Sequence, residues 1–237
     1  MSATLDVRAL CFDVFGTVVD FRSGLVARLA EWGTARGVEA DWGALADALR
    51  AEDRAGMARA NEAGAWPDLD AIRLEAMTTI PPAHGLPAPS AEEARTLAGA
   101  WREGPPWPDA RPGLERLRRR FVLSPLSNGT LATLVALSRH GGLVWDCVLA
   151  TELVGAFKPD PRVYERAVEL LADRPEQVLM VAAHSYDLRA ARALGLRTAF
   201  VPRPLEFGPG GPAELEPEGE VDLVVDDLGA LADALRA

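Results

Sequence analysis

Cysteine is nearly absent: the 237 residues contain two, Cys11 and Cys147. Both sit in apolar, strand-like runs, so a disulfide framework is excluded and each reads as a small core residue. Long apolar runs are missing as well. None approaches the roughly 20 residues needed to cross a bilayer, which excludes a membrane-spanning helix. Positive charge is the minority, with 25 Lys and Arg against 35 Asp and Glu, and the net charge of −10 repels a phosphate backbone. That excludes a broad nucleic-acid-binding face and leaves only a local cationic pocket for a small anion. The one basic cluster, RLRRR at 116–120, reads as the solvated end of an amphipathic helix over 113–120. The start MSATLDVRAL lacks the basic and apolar regions of a secretory signal, so a cytoplasmic protein is expected.

What is present is the composition of an ordinary soluble globular protein, 49% apolar and 25% charged. Its length suits one large domain or a domain with a sizeable insertion. Short apolar runs at 8–13, 121–126, 146–150, 178–183, 197–201 and 221–225 predict buried parallel strands. Helical patterns, among them 165–173 and 188–195, separate most of them, and this alternation predicts an α/β fold with a parallel sheet covered on both faces. Residues 20–108 break the alternation. Helical patterns near 23–37, 43–62, 70–79 and 91–102, with no convincing strand, predict a helical subdomain inserted into a core made of 1–19 and 109–237. PPAHGLPAPS (81–90) reads as a loop, and GPPWPDARPG (104–113) as the linker returning to the core. A third Pro/Gly-rich stretch, 202–220, is too long for a simple connection and reads as a loop near the site or a mobile segment.

In an open parallel sheet, ligands bind beyond the carboxyl ends of the strands, so the polar residues that end each apolar run carry the information. Asp13 ends the first run, Ser127 and Asn128 follow the second, Lys158 follows the third, and His184 with Asp187 follows the fourth. Singly, each has a bland reading: Asp13 as a turn residue, Ser127-Asn128-Gly129 as a β-turn, Lys158 as a solvated loop lysine, Asp187 as a helix N-cap.

Taken in order, D-x-x-G-T, S-N-G, K-P-D-P and a last Asp resemble the haloacid dehalogenase superfamily of aspartate-nucleophile hydrolases. The closest likeness is to the type II 2-haloacid dehalogenases, through FDVFGTVVDFRSG, PLSNG, FKPDPRVY, AAHSYDLRAARALGLRTAFVPRP and the helical insertion. The resemblance implies a Rossmann-like core with a helical cap. It also implies hydrolysis of a small 2-haloalkanoic acid to the 2-hydroxy acid through an aspartyl ester, with no cofactor and no metal. A small anionic substrate is then the expected partner, without nucleic acid or membrane, and a homodimer is one assembly the resemblance allows.

Within it, Asp13 is the candidate nucleophile and Lys158 the cation that keeps it ionised. An ammonium at about 4 Å is worth on the order of 4 kcal/mol at an effective dielectric near 20, before desolvation is subtracted. Thr17 offers a hydroxyl to the Asp13 carboxylate or to substrate, Ser127 and Asn128 donors for an anionic group or a departing halide, and Asp187 a base for the hydrolytic water. Phosphatases of the superfamily resemble D-x-D-G-T, where the second Asp protonates a poor leaving group. Here that position is Phe15, which fits a halide that needs no proton. Their fourth motif resembles G-D-x-x-x-D, and the matching position is Ala183, so a hard oxygen ligand for Mg²⁺ is missing. The chain departs from the dehalogenase S-S-N-x-W-D in reading AAHSYD. His184 is accordingly a candidate for substrate binding or water positioning, or else a histidine satisfied locally. Arg22 is the first candidate for the halide-binding arginine, with Arg50 and Arg54 behind it. Tyr164 is either an aromatic near the site or a core residue. The rival readings are a superfamily phosphatase or phosphonate hydrolase, and a binding protein that keeps the fold without catalysis.

Overall fold

The computed structural model describes residues 6–237; the first five, part of the segment read for a leader, lie outside the described residues. The central strand β1 (Ala9–Phe12) is buried at every position, as is β4 (Val178–Ala182), while β2 (Val122–Ser127) is buried after its first residue. Such unbroken apolar burial is what a strand covered on both faces requires. With β3 (Leu149–Ala150), β5 (Arg197–Phe200) and β6 (Leu223–Val224) they form one sheet in the order β3-β2-β1-β4-β5-β6, every pair parallel. The chain first builds outward from β1 through β2 and β3, then crosses to the other side with β4. The order therefore reverses at β1 and β4, and the crevice beyond their carboxyl ends is where such sheets bind ligands. Phe12 is paired with Val181, so Asp13 emerges there, its N–H donating to the Val181 carbonyl at 3.0 Å.

Between β1 and β2 lie α1 (Phe21–Arg36), α2 (Trp42–Glu62), α3 (Leu69–Ala83) and α4 (Ala91–Ala98), with a 3-10 turn over Gly99–Arg102. Each helix starts where the sequence supplies a cap. Asp20, Asp41 and Asp68 accept from first-turn N–H groups, and Ser90 forms a reciprocal capping box with Glu93. Such a cap contributes about 1 kcal/mol. Phe21, Leu25, Leu29, Leu45, Leu49, Met77, Leu97 and Trp101 bury into the same cluster as Phe12, Phe15 and Val18 of the β1 end.

Several expectations need correction. The α3 helix runs through Pro81 and Pro82 instead of ending in a loop at 81. Each proline removes a single donor in the last turn, and their carbonyls still accept from Leu86 and Gly85. The expected linker 104–113 is cut short by α5 (Ala110–Leu117), with Pro112 in the first turn, where its missing N–H is no loss. The strand at 146–150 shrinks to two residues because Asp146 takes both backbone groups of Leu123, its N–H donating to the carbonyl and its carboxylate accepting from the N–H. Helices α6 (Leu131–Gly141) and α9 (Leu228–Ala234) were not anticipated, whereas α7 (Pro161–Leu171) and α8 (Ser185–Ala193) begin three to four residues before their patterns. Arg116, Arg118 and Arg120 of the basic cluster are taken up by Asp233, Asp146 and the last carbonyls of the chain.

Candidate active site

Asp13 is 6% exposed and each of its oxygens has its own partners. Oδ1 accepts from Lys158 Nζ at 3.1 Å. Oδ2 accepts from Thr17 Oγ1 at 2.8 Å and lies 3.0 Å from His184 Nδ1. The Thr17 hydroxyl oxygen in turn accepts from the Ala183 N–H at 2.9 Å, which ties the loop after β1 to the end of β4. Lys158 also donates to Asp187 Oδ2, and Asp187 Oδ1 accepts from the Tyr164 hydroxyl at 2.6 Å. Tyr164 is thus both buried and a member of the site. Asp187 is not an N-cap: His184 stands at the N-cap of α8 and Glu214 accepts from the Ser185 N–H instead.

Burial alone would raise the Asp13 carboxyl, but the Lys158 charge and the bonds from His184 and Thr17 outweigh it and hold it well below the usual carboxylate range. Lys158 is likewise opposed by burial, yet two carboxylates keep it above the ordinary lysine value. Asp187 is pushed up, by burial first and by the Asp13 charge, against the pull of Lys158. One ammonium shared between two buried carboxylates thus leaves Asp13 the ionised acid and Asp187 the more basic one.

The largest surprise is Glu206, 2% exposed, whose Oε1 sits 2.9 Å from His184 Nε2. An imidazole between two carboxylate oxygens donates to both only as the imidazolium. The hydrogen bonds of Asp13 and Glu206 overcome the opposing effect of burial and raise His184 to about 9. Glu206 comes from the long 202–220 loop, fixed by Arg203, which donates to the Thr17 carbonyl and bidentately to Asp109. Its only sequence signal is that such a loop is too long to be a mere connection. Gly16 makes room for the pair. Its φ is +93°, and a Cβ there would stand 2.4 Å from Glu206 Oε1 and 3.1 Å from His184 Cε1.

Asn128 uses its carbonyl oxygen to accept from the Lys158 N–H at 2.8 Å, and Ser127 Oγ accepts from the Gly129 N–H. Asn61 of α2 clamps the same segment, exchanging bonds with both the N–H and the carbonyl of Phe157. Arg22 is the clear departure from expectation. It is paired bidentately with Asp47 at 2.7 and 3.0 Å and does not reach Asp13. Arg54 faces the site instead. It lines both a cavity of about 470 Å³ shared with Arg50, His184, Glu206 and Phe207 and one of about 210 Å³ shared with Asn128, Lys158 and Tyr186. A larger cleft of about 570 Å³ between α2 and α3, walled by Trp66 and Ile72, holds none of the grouped acids and bases. Phe15 packs edge-on against Trp101 at 5.8 Å, with the Arg73 guanidinium over its ring at 5.1 Å. No acid stands in its place.

A nucleophile-ready carboxylate at the end of the central strand, a buried lysine and a last Asp agree with the family model that matches residues 7–195, that of a haloacid dehalogenase-like hydrolase. The chain belongs to this family. Among individual relatives, it is 28% identical to (S)-2-haloacid dehalogenase 4A of Burkholderia cepacia over 89% of this chain and 87% of that one. The crystal structure of the defluorinating L-2-haloacid dehalogenase Rha0230 superposes with a TM-score of 0.93 at 36% identity, covering 98% and 96% of the two chains. That of L-2-haloacid dehalogenase from Xanthobacter autotrophicus with chloropropionic acid covalently bound matches with a TM-score of 0.83 at 25% identity, covering 98% and 99%. Among the described residues of this haloacid dehalogenase-like hydrolase, no three His, Cys, Asp or Glu side chains are grouped to hold a metal ion. No helix among the described residues is long and apolar enough to cross a membrane.

Proposed function

We propose that this protein is a hydrolytic dehalogenase that converts a small 2-haloalkanoic acid to the 2-hydroxy acid through an ester on Asp13. The observation that carries the reading is an ionised, lysine-bound Asp13 with Phe15, an aromatic wall, where a general acid would stand. The Asp13 carboxylate attacks C2 from behind the carbon–halogen bond, the bonding pair leaves with the halide, and the ester forms. Lys158 keeps the acid charged beside an anionic substrate. In the second half, water attacks the ester carbonyl and Asp187, the more basic acid, takes its proton. Ser127 and Asn128 bind and orient substrate, Thr17 and His184 act on it through the Asp13 carboxylate they hold, and Arg50 and Arg54 of α2 replace Arg22 as the cations that face the departing halide. Helices α1–α4 act as a cap over the sheet end, residues 20–108 against a core of 1–19 and 109–237. The reading carries two further expectations, a cytoplasmic location and a homodimer, which cell fractionation and sedimentation velocity test.

The direct test is halide release by purified protein from chloro-, bromo- and fluoroacetate and from both enantiomers of 2-chloropropionate. Release from at least one is expected. If none reacts while p-nitrophenyl phosphate with Mg²⁺ does, the phosphatase reading replaces this one. A single turnover in ¹⁸O water with excess enzyme should leave the hydroxy acid largely unlabelled and put the label into the Asp13 peptide. Label in the product at the first turnover would make Asp13 a base instead.

A further inference from the structure

The two oxygens of Asp13 are not equivalent. Oδ2 faces two donors, Thr17 Oγ1 at 2.8 Å and His184 Nδ1 at 3.0 Å, which together occupy both of its lone pairs. Oδ1 faces one donor, Lys158, and keeps a lone pair. The oxygen that attacks carbon is therefore Oδ1. Once the ester has formed, Oδ2 is its carbonyl oxygen, with Thr17 and His184 still aimed at it. Their own hydrogens are fixed: the Thr17 oxygen accepts from the Ala183 N–H, leaving its proton for Oδ2, and Glu206 occupies the far nitrogen of the imidazole.

Resting on the dehalogenase reading, we propose that Thr17 and the His184 imidazolium form the oxyanion hole for hydrolysis of the Asp13 ester, with Glu206 as the positioning residue that keeps His184 protonated. The atoms balance as follows. Water oxygen bonds to Cγ of Asp13, the carbonyl π pair moves onto Oδ2, and the water proton passes to Asp187. Collapse restores the carbonyl and breaks the Cγ–Oδ1 bond. The hydroxy-acid alkoxide, which keeps Oδ1, takes a proton from Lys158, and Asp187 returns one to Lys158 across their direct contact. The second water proton stays on the new oxygen of the Asp13 carboxyl and is released to solvent, which restores the carboxylate held by Lys158, Thr17 and His184. In this scheme His184 is a proton-holding donor throughout and never a base. Donors preset at a developing oxyanion are typically worth a factor of about 10²–10³ each.

The assignment makes a sign prediction for pH. His184 is faced by Asp13 from β1, by Glu206 and Glu214 from the long loop, by Arg50 and Arg54 from α2 across the cavity, and by Tyr186 of α8 at 5.8 Å between rings. Esterification removes the Asp13 charge and leaves the others. The imidazolium of the ester therefore titrates below the value near 9 of the resting enzyme.

The experiment mixes excess enzyme with (S)-2-chloropropionate, quenches with acid at intervals from pH 6 to 10, and follows the Asp13 ester by intact-protein mass alongside chloride release. Ester decay should be fastest at low pH and fall by about a hundredfold across the imidazolium titration. Glu206→Gln should move that fall to lower pH, a shift that a merely structural role for Glu206 would not produce. Should Glu206→Gln not fold, the wild-type profile decides alone. Ester decay that rises over the same range makes His184 the base, and a flat profile removes it from the step; either overturns the inference while leaving the ester intermediate standing. No ester and no halide from this or any other of the haloacids named above would instead overturn the dehalogenase reading itself.

Discussion

Lys158 holds two carboxylates, Asp13 and Asp187, on one ammonium with no side-chain exposure. Removing that charge leaves two buried acids facing each other, and one of them must take up a proton. Lys158→Met should therefore lower halide release at least about 100-fold, a barrier increase of roughly 2.7 kcal/mol, with circular dichroism reporting an intact fold. Retention of more than a tenth of the rate would mean the ammonium is dispensable. At this scale the sequence was informative where residues end strands, because a strand end has one place to point: Asp13, Thr17, Lys158, His184 and Asp187 do converge. It was uninformative for Glu206, since an irregular loop has no period from which a side chain's direction can be read. Arg22 misled for a related reason. Its place at the hinge into the helical insertion says nothing about Asp47, which sits 25 residues further on and captures it.

The turn between β1 and α1 is the element on which the site depends most. Its Gly16 adopts a left-handed φ and also lets Glu206 and His184 pass where a Cβ would sit. Gly16→Ala combines backbone strain with that clash and should cost roughly 1–3 kcal/mol, read in thermal unfolding as a Tm lower by about 2–4 °C per kcal/mol. An unchanged Tm would show that the dyad can yield at no cost. Helices α1 to α4 were legible because capping residues and apolar spacing agree. The boundary errors at α3 and α5 share one cause: proline in a first or last helical turn loses little, so α3 runs on through Pro81–Pro82 and α5 starts before Pro112. β3 was overestimated because an apolar run cannot reveal that Asp146 hydrogen-bonds sideways to a neighbouring strand.

For the molecule as a whole, Ala183 at the end of β4 occupies the place where phosphatase relatives carry a metal-binding acid. Halide release should survive exhaustive dialysis against EDTA within about a factor of two, a change worth about 0.4 kcal/mol. Loss that Mg²⁺ restores would contradict it. The arginines of the helical insertion have one more consequence. On the core side, Asp13, Asp187 and Glu206 stand against Lys158 and His184, a formal excess of one negative charge, to which an anionic substrate adds another. On the helical side Arg50, Arg54, Arg73 and Arg102 outnumber Asp53 and Asp70 by two. With Glu214, which lines the same cavity, the sheet end is more negative still, and the positive helical side offsets it only when both halves enclose the substrate. Breaking the carbon–halogen bond then translates one unit of negative charge from the sheet end toward α2 without altering the total. When the halide escapes, one negative charge leaves with it, and hydrolysis then restores another on Asp13 as a proton goes to solvent. The next substrate anion therefore always meets a negative sheet end, and its capture falls to the arginines of α2.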